Sequence, residues 1–443
     1  MPQNRRSRLR LLPLMLALGS AWMVPAQAQN LVDLYAAAQS FDATYLSAKL
    51  QFDASLAKAG QAQAAVLPVA NLSMGATRTN QEVVSAVTTN YATQTATLSA
   101  SQPLYRPANW ASYEQGKKSV EIAQAQLQQA EQDLVVRVSQ AYFDVLAATD
   151  TLTFVQAQKK AVGEQLAAAK RNFEVGTSTI TDSREAQAKY DLVIAQELAA
   201  SNDLRVKSLA LNQLVGRQDV QPKSLKQPPT LPALAATDME QWVQTAQSQN
   251  PSVQQAQLAL AVAQLETQKA QAGHKPTLDL TGSYSAINNN GTSASPADSR
   301  VNVATVGLSF NLPLFAGFAT QNRIKETLSL ENKAQSDLEN AKRSVGQGTR
   351  AAFLGVQSGM AQVAALQAAE TSSQSALEAN QLGYQVGVRI NIDVLNAQSQ
   401  LYDTKAKLAK ARYDVLVGGL KLRQAAGTLK ADDLQPINQQ LAP

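Results

Sequence analysis

Apolar positions along the chain follow two periods that alternate. Over residues 30–67, Leu31, Leu34, Tyr35, Ala38, Phe41, Tyr45, Leu46 and Leu50 recur at spacings of three and four, which predicts one helix ended by Pro68. The period then drops to two. Residues 71–80 set Leu72, Met74 and Ala76 against Ser73, Gly75 and Thr77. Residues 93–102 set Ala96, Leu98 and Ala100 against Thr95, Thr97, Ser99 and Ser101. These read as a β-hairpin with one apolar and one small polar face, joined by a Thr/Asn-rich loop. Beyond Pro103 and Pro107 the helical period returns. Val120, Ala123, Leu127, Ala130, Leu134, Val138, Ala141 and Val145 keep it, and no proline intervenes before Gly176. A continuous helix over 108–171 extends about 95 Å at 1.5 Å per residue. A return helix is predicted from Ser183 to about Leu214.

The same order then repeats. Pro222, Pro228, Pro229 and Pro232 mark an irregular connection, after which helical periodicity runs unbroken over 239–272 and Pro276 ends it. Alternating runs over 277–287 and 304–312 flank a polar loop, and Pro313-Leu314-Phe315 echoes Pro103-Leu104-Tyr105. A second long Pro-free helix leads to Gly387, and a return helix runs from Asp393 to about Ala426. The offset between equivalent positions is 208 at Pro68/Pro276 and 211 at Gly176/Gly387, so the chain is a tandem duplication. The predicted organisation is a leader over 1–28, a first repeat over 29–221, a linker over 222–238, a second repeat over 239–427 and a tail over 428–443.

Each long helix turns at a recurring stretch. Residues 173–182 read FEVGTSTITD and 384–393 read YQVGVRINID: aromatic-x-Val-Gly, five variable residues, then Asp. Gly176 and Gly387 suit the positive φ of a helix C-cap. Asp182 and Asp393 have two readings: N-caps of the return helices, or carboxylates set around an axis when copies of the chain assemble.

Composition sharpens this picture. Arg5, Arg6, Arg8 and Arg10, a short apolar run over 11–24 and Ala26-Gln27-Ala28 form a cleavable export signal, too short to span a bilayer. The whole chain carries 39 basic and 34 acidic residues, and removing the four leader arginines leaves 35 against 34. The mature chain therefore has no basic footprint for nucleic acid. Cysteine is absent, so no disulfide framework supports the fold. His274 is the sole histidine, and no cluster with metal spacing or nucleophile motif accompanies it, so neither an enzyme, a metal site nor a cofactor is expected. The strands allow either a sheet packed on helices or part of a membrane barrel. Four strands cannot close a barrel alone, whereas a trimer supplies twelve.

Six segments carry a family resemblance: NLVDLYAAA (30–38), AYFDVLAATD (141–150), GHKPTLDLT (273–281), VGLSFNLPLFAG (306–317), FEVGTSTITD and YQVGVRINIDVLNA (384–397). They resemble the TolC family of outer-membrane channel-tunnels, in the right order over nearly the whole mature chain. The resemblance implies a mostly α homotrimer: a twelve-stranded barrel in outer-membrane lipid, continuous with a coiled-coil periplasmic tunnel. It implies a non-catalytic exit duct for drug efflux or type I secretion. Its partners would be a periplasmic adaptor (membrane fusion) protein and an inner-membrane transporter of the RND or ABC type. It places an acidic ring at Asp393 in a closed periplasmic aperture. Tyr384 and Arg389 match the links that close it, and Thr181 and Asp182 match their partners on the neighbouring coil. Val175-Gly176 and Val386-Gly387 match the tips where adaptor hairpins dock. The family carries a second acid where this chain has Asn396, so cation selectivity is expected to be weaker and Asn396→Asp to deepen cation block. The alternative reading is a soluble periplasmic coiled-coil adaptor, which would need no lipid-facing strands.

Overall fold

The computed structural model describes residues 29–82, 89–226, 238–295 and 297–442. The predicted leader and most of the predicted 222–238 linker lie outside these. The first repeat comprises α1 (Leu31–Phe41), α2 (Ala43–Ala64), β1 (Val69–Gln81), β2 (Thr89–Tyr105), α3 (Pro107–Glu174) and α4 (Ile180–Val215). The second comprises α5 (Met239–Gln249), α6 (Pro251–Gln271), β3 (Thr277–Asn290), β4 (Ser299–Asn311), α7 (Ala319–Gln385) and α8 (Asn391–Ala425), with a short α9 (Leu434–Asn438) in the tail.

Two helices predicted as continuous are each broken in two, at Asp42 and at Asn250. These positions are 208 residues apart, the offset of the duplication. At Asp42 the backbone leaves the helical region (φ −63°, ψ 115°), and the carboxylate accepts from Tyr45 N–H at 2.8 Å to restart the chain as α2. Arg137 of α3 donates to both oxygens of the same carboxylate at 2.9 Å. At Asn250 the side chain accepts from Ser252 N–H at 2.9 Å and donates to the Ala425 carbonyl at 2.8 Å, with Pro251 in the first helical position. In each pair both halves pack on one long helix, α1 and α2 on α3, α5 and α6 on α7. The apolar stripe therefore runs through each break unmarked.

The sheet runs β1-β2-β3-β4, antiparallel throughout, so the pairing of β2 with β3 joins the hairpins of the two repeats. The register aligns Leu72, Leu98, Tyr284 and Ala304 in one row and Ser73, Thr97, Ser285 and Val303 in the next. Successive rows face opposite sides, so one face is largely apolar and the other largely small and polar. Thr97 Oγ1 and Ser285 Oγ are 2.9 Å apart across the central pairing. All four strands are longer than their alternating runs predict. The outer edges of β1 and β4 have no partner strand among the described residues. Where the sheet meets the helices, Arg106 donates through Nε and Nη2 to the buried Asp279 carboxylate at 2.7 and 2.6 Å, tying the start of α3 to β3.

The largest buried cluster lies midway along α3. Leu134, Val138, Tyr142 and Phe143 meet Leu31 and Leu34 of α1, Leu416 and Leu420 of α8, and Leu434 and Ile437 of α9. Phe143 stacks on Tyr413, centroids 5.5 Å apart. The tail and the segment after α4 meet at this level through a bridge between Leu225 and Leu441, and Tyr142 Oη donates to the Lys223 carbonyl at 2.7 Å. The glycines that end α4 and α8 sit against the two breaks. A Cβ on Gly216 (φ +66°) would strike the Phe41 ring, and one on Gly427 (φ +75°) would come within 2.5 Å of Asn250 Cα.

Candidate functional site at the helix tips

Both tips close by the same backbone bonds. α3 ends at Gly176 (φ +80°), where Thr177 N–H reaches back to the Asn172 carbonyl at 2.8 Å. α7 ends at Gly387 (φ +79°), where Val388 N–H reaches the Gly383 carbonyl at 2.8 Å. This six-to-one bond with a left-handed glycine satisfies carbonyls that the helix end leaves open. The valine before each glycine is exposed, Val175 by 72% and Val386 by 65%.

The starts of the return helices differ. Thr179 caps α4: its hydroxyl accepts from Asp182 N–H at 3.2 Å, and the Asp182 carboxylate accepts from Thr179 N–H at 3.1 Å. Asp182 thus occupies the third helical position of a capping box, not the N-cap itself. Ser178 Oγ donates to the same carboxylate at 2.7 Å, and this bond, with those from Thr179, holds the Asp182 pKa below the usual carboxylate range. In the second copy Ile390 stands at the N-cap and offers no side-chain oxygen. The Asp393 carboxylate is therefore outside any capping box, with Arg389 Nη1 of its own coil 3.7 Å away. Arg389 lies across Gly383, where a Cβ would come within 2.7 Å of the Arg389 Cγ.

The coils meet just behind the tips. Leu395 of α8 is buried among Val162, Leu166 and Ala169 of α3 and Ala186 and Val193 of α4, with Ile392 alongside. Lys189 Nζ donates to Asn396 Oδ1 at 3.2 Å, and Gln158 Nε2 donates to Ser399 Oγ at 3.2 Å. These residues edge a cleft of about 780 Å³ between α3, α4 and α8. Tyr384 packs instead on Leu377, Val394 and Leu401 of its own hairpin. Among the described residues of one protomer, no hydrogen bond or ion pair joins Tyr384 or Arg389 to Thr181 or Asp182. Lys189 and Gly383 escaped the sequence reading. The signal for Lys189 was its place two turns after Asp182, on the same helical face. Among the described residues no group of acidic, histidine or cysteine side chains could hold a metal ion, and no helix is long and apolar enough to cross a membrane.

Comparison with known proteins fits this architecture. The model of the family described as outer membrane efflux protein matches residues 34–217 and 242–428, one match for each repeat. The outer membrane protein TolC of Vibrio cholerae is 34% identical over 431 residues, 97% of this chain and 98% of its own. The proteases secretion protein PrtF of Dickeya chrysanthemi is 29% identical over 425 residues, 93% of this chain and 91% of its own. The solved structure of the outer membrane protein VceC from Vibrio cholerae superimposes with a TM-score of 0.77 at 18% identity, covering 90% of this chain and 96% of that one, which shows a shared fold. The chain belongs to the outer membrane efflux protein family, whose members are export channels and not enzymes.

Proposed function

We propose that three copies of the chain close a twelve-stranded barrel in the outer membrane of a Gram-negative cell, above a helical tunnel that crosses the periplasm. The main support is the sheet. β1 and β4 offer open edges of 13 residues each, about 43 Å of strand, ample for a tilted strand to span a bilayer. An open edge of that length invites pairing with another chain, and β1 of one copy is free to pair with β4 of the next. One face of the sheet exposes Leu72, Met74, Leu98, Val306, Leu308 and Phe310, which suits lipid; the opposite face suits a wet lumen.

The helix tips then gather around the periplasmic mouth. Asp393, free of a capping box, supplies an acidic ring at the aperture. Tyr384 and Arg389 close it against Thr181 and Asp182 of the neighbouring coil, and the exposed Val175-Gly176 and Val386-Gly387 tips receive a periplasmic adaptor. The adaptor connects the duct to an inner-membrane transporter of the RND or ABC type, which passes it small molecules or proteins. Cell fractionation tests the reading. Recovery from the outer membrane as a trimer that dissociates on heating is expected; recovery as a soluble periplasmic protein refutes the duct and leaves the coiled-coil adaptor. Deleting the protein and assaying both drug sensitivity and secreted proteins then identifies the cargo.

A further inference from the structure

The contact between Lys189 and Asn396 joins residues 207 positions apart, on helices from different repeats. An ammonium has only donors, so it fixes the Asn396 amide with Oδ1 toward Lys189 and Nδ2, a donor, turned away. Lys189 has no carboxylate partner among the described residues, and the Asn396 oxygen is its hydrogen-bond acceptor. The other charged groups nearby are engaged elsewhere or on other levels: Asp393 faces Arg389 at 3.7 Å, Asp403 is paired with Lys407 at 2.6 Å, Asp203 lies 14 residues beyond Lys189 on α4, and Glu185, one turn before Lys189 on the same face, forms no ion pair with it. The level of residue 396 therefore presents a positive charge and amide donors, while the level of Asp393, less than one turn away, carries the carboxylate.

We infer that Lys189 is a selectivity-determining residue of the channel. With Asn396 it forms a basic, anion-favouring level directly above the acidic Asp393 level, so the aperture is bipolar rather than merely short of one acidic ring. The inference rests on the reading of Asp393 as an aperture residue. It changes what a carboxylate at position 396 would do. In Asn396→Asp the new carboxylate would arise next to an ammonium already at hydrogen-bond distance, and the two would neutralise each other as an inter-coil ion pair. Recovering a second acidic level requires the loss of Lys189 as well.

The test uses the full-length protein in planar bilayers, reading the reversal potential in a KCl gradient and block by trivalent lanthanum. Lys189→Gln is expected to raise the potassium-to-chloride permeability ratio about threefold, the scale of one exposed charge interaction at each protomer. Asn396→Asp alone is expected to change lanthanum block less than about twofold, and the double substitution to deepen it at least about tenfold, because only then do unpaired carboxylates converge. Block deepened equally by Asn396→Asp with or without Lys189, or an unchanged reversal potential in Lys189→Gln, overturns the inference. Asp393→Asn separates the two layers of the argument. If it weakens block while the Lys189 variants do nothing, only the role of Lys189 fails. If it too leaves block unchanged, the aperture reading fails and the inference falls with it.

Discussion

Asp42 offers the most direct check on the packing argument, because one carboxylate performs two separable tasks. It caps α2 through Tyr45 N–H at 2.8 Å and holds Arg137 of α3 by two bonds of 2.9 Å. Loss of an N-cap costs about 1 kcal/mol. A charge-assisted pair with one buried partner is worth about 1.5 kcal/mol once the partial exposure of Arg137 and its second bond to Asp133 are discounted. Asp42→Ala should therefore destabilise by about 2.5 kcal/mol, and Asp42→Asn, which keeps a capping oxygen, by about half that. Urea unfolding of the purified protein, followed by circular dichroism, measures both. A cycle with Arg137→Ala isolates the pair and should return a coupling of about 1.5 kcal/mol. The pH dependence provides a second reading. Arg137, and then the backbone N–H groups of Tyr45 and Thr44, hold the Asp42 pKa below its ordinary 3.8. A depressed carboxylate stabilises the fold above its unfolded pKa, and that contribution disappears as pH falls through the folded value. The wild type should lose stability in that acid window and Asp42→Asn should lose less. Zero coupling in the cycle, or identical acid profiles, would refute the reasoning.

Three further outcomes are expected. Gly427→Ala should abolish folding into the native assembly, since its Cβ would strike the backbone of Asn250, whereas Gly387→Ala, with nothing within 4 Å, should cost only the positive-φ penalty of about 1 kcal/mol; yields of folded protein compare the two. Tyr413→Phe keeps the stacking on Phe143 but removes the donor 2.7 Å from Asp150, whose pKa burial already pushes up and Tyr413 partly restores. It should cost about 1–2 kcal/mol at neutral pH, and the deficit should shrink as pH falls and the buried carboxyl takes up its proton, which unfolding curves across the acid range would reveal. Arg389→Ala and Tyr384→Phe should each raise the resting single-channel conductance; unchanged conductance in both would dismiss the proposed closing links between protomers.

The regular elements were legible because burial enforces periodicity. Leu134, Val138 and Val145 recur at helical spacing since one face of α3 meets the core. Leu98 and Ala100 alternate with Thr97 and Ser99 since successive strand residues face opposite sides. The breaks at Asp42 and Asn250 were missed for the same reason, as a stripe that continues on both sides of a break hides it. Asn250-Pro251 did carry a helix-start signal, which the periodicity outweighed. At the tips, the glycine turns could be read locally, and so could the missing oxygen at Ile390. The bond from Lys189 to Asn396 could not, because it depends on how two hairpins from different repeats pack.

The length of α3 has a mechanical consequence. Its best-packed stretch ends near Leu146, and 28 further residues reach Glu174, about 42 Å of helix at 1.5 Å per residue. A relative tilt of one degree at the waist therefore moves the tip by roughly 0.7 Å. The Lys189–Asn396 bond, at 3.2 Å, tolerates only about 0.3 Å before it passes the usual hydrogen-bond limit. The helix pairs extend as long arms from the Tyr142–Phe143–Tyr413 cluster and are joined again behind the tips by the contacts around Leu395. In the duct proposed above, small changes in how those rings pack are expected to register as altered conductance at the far end.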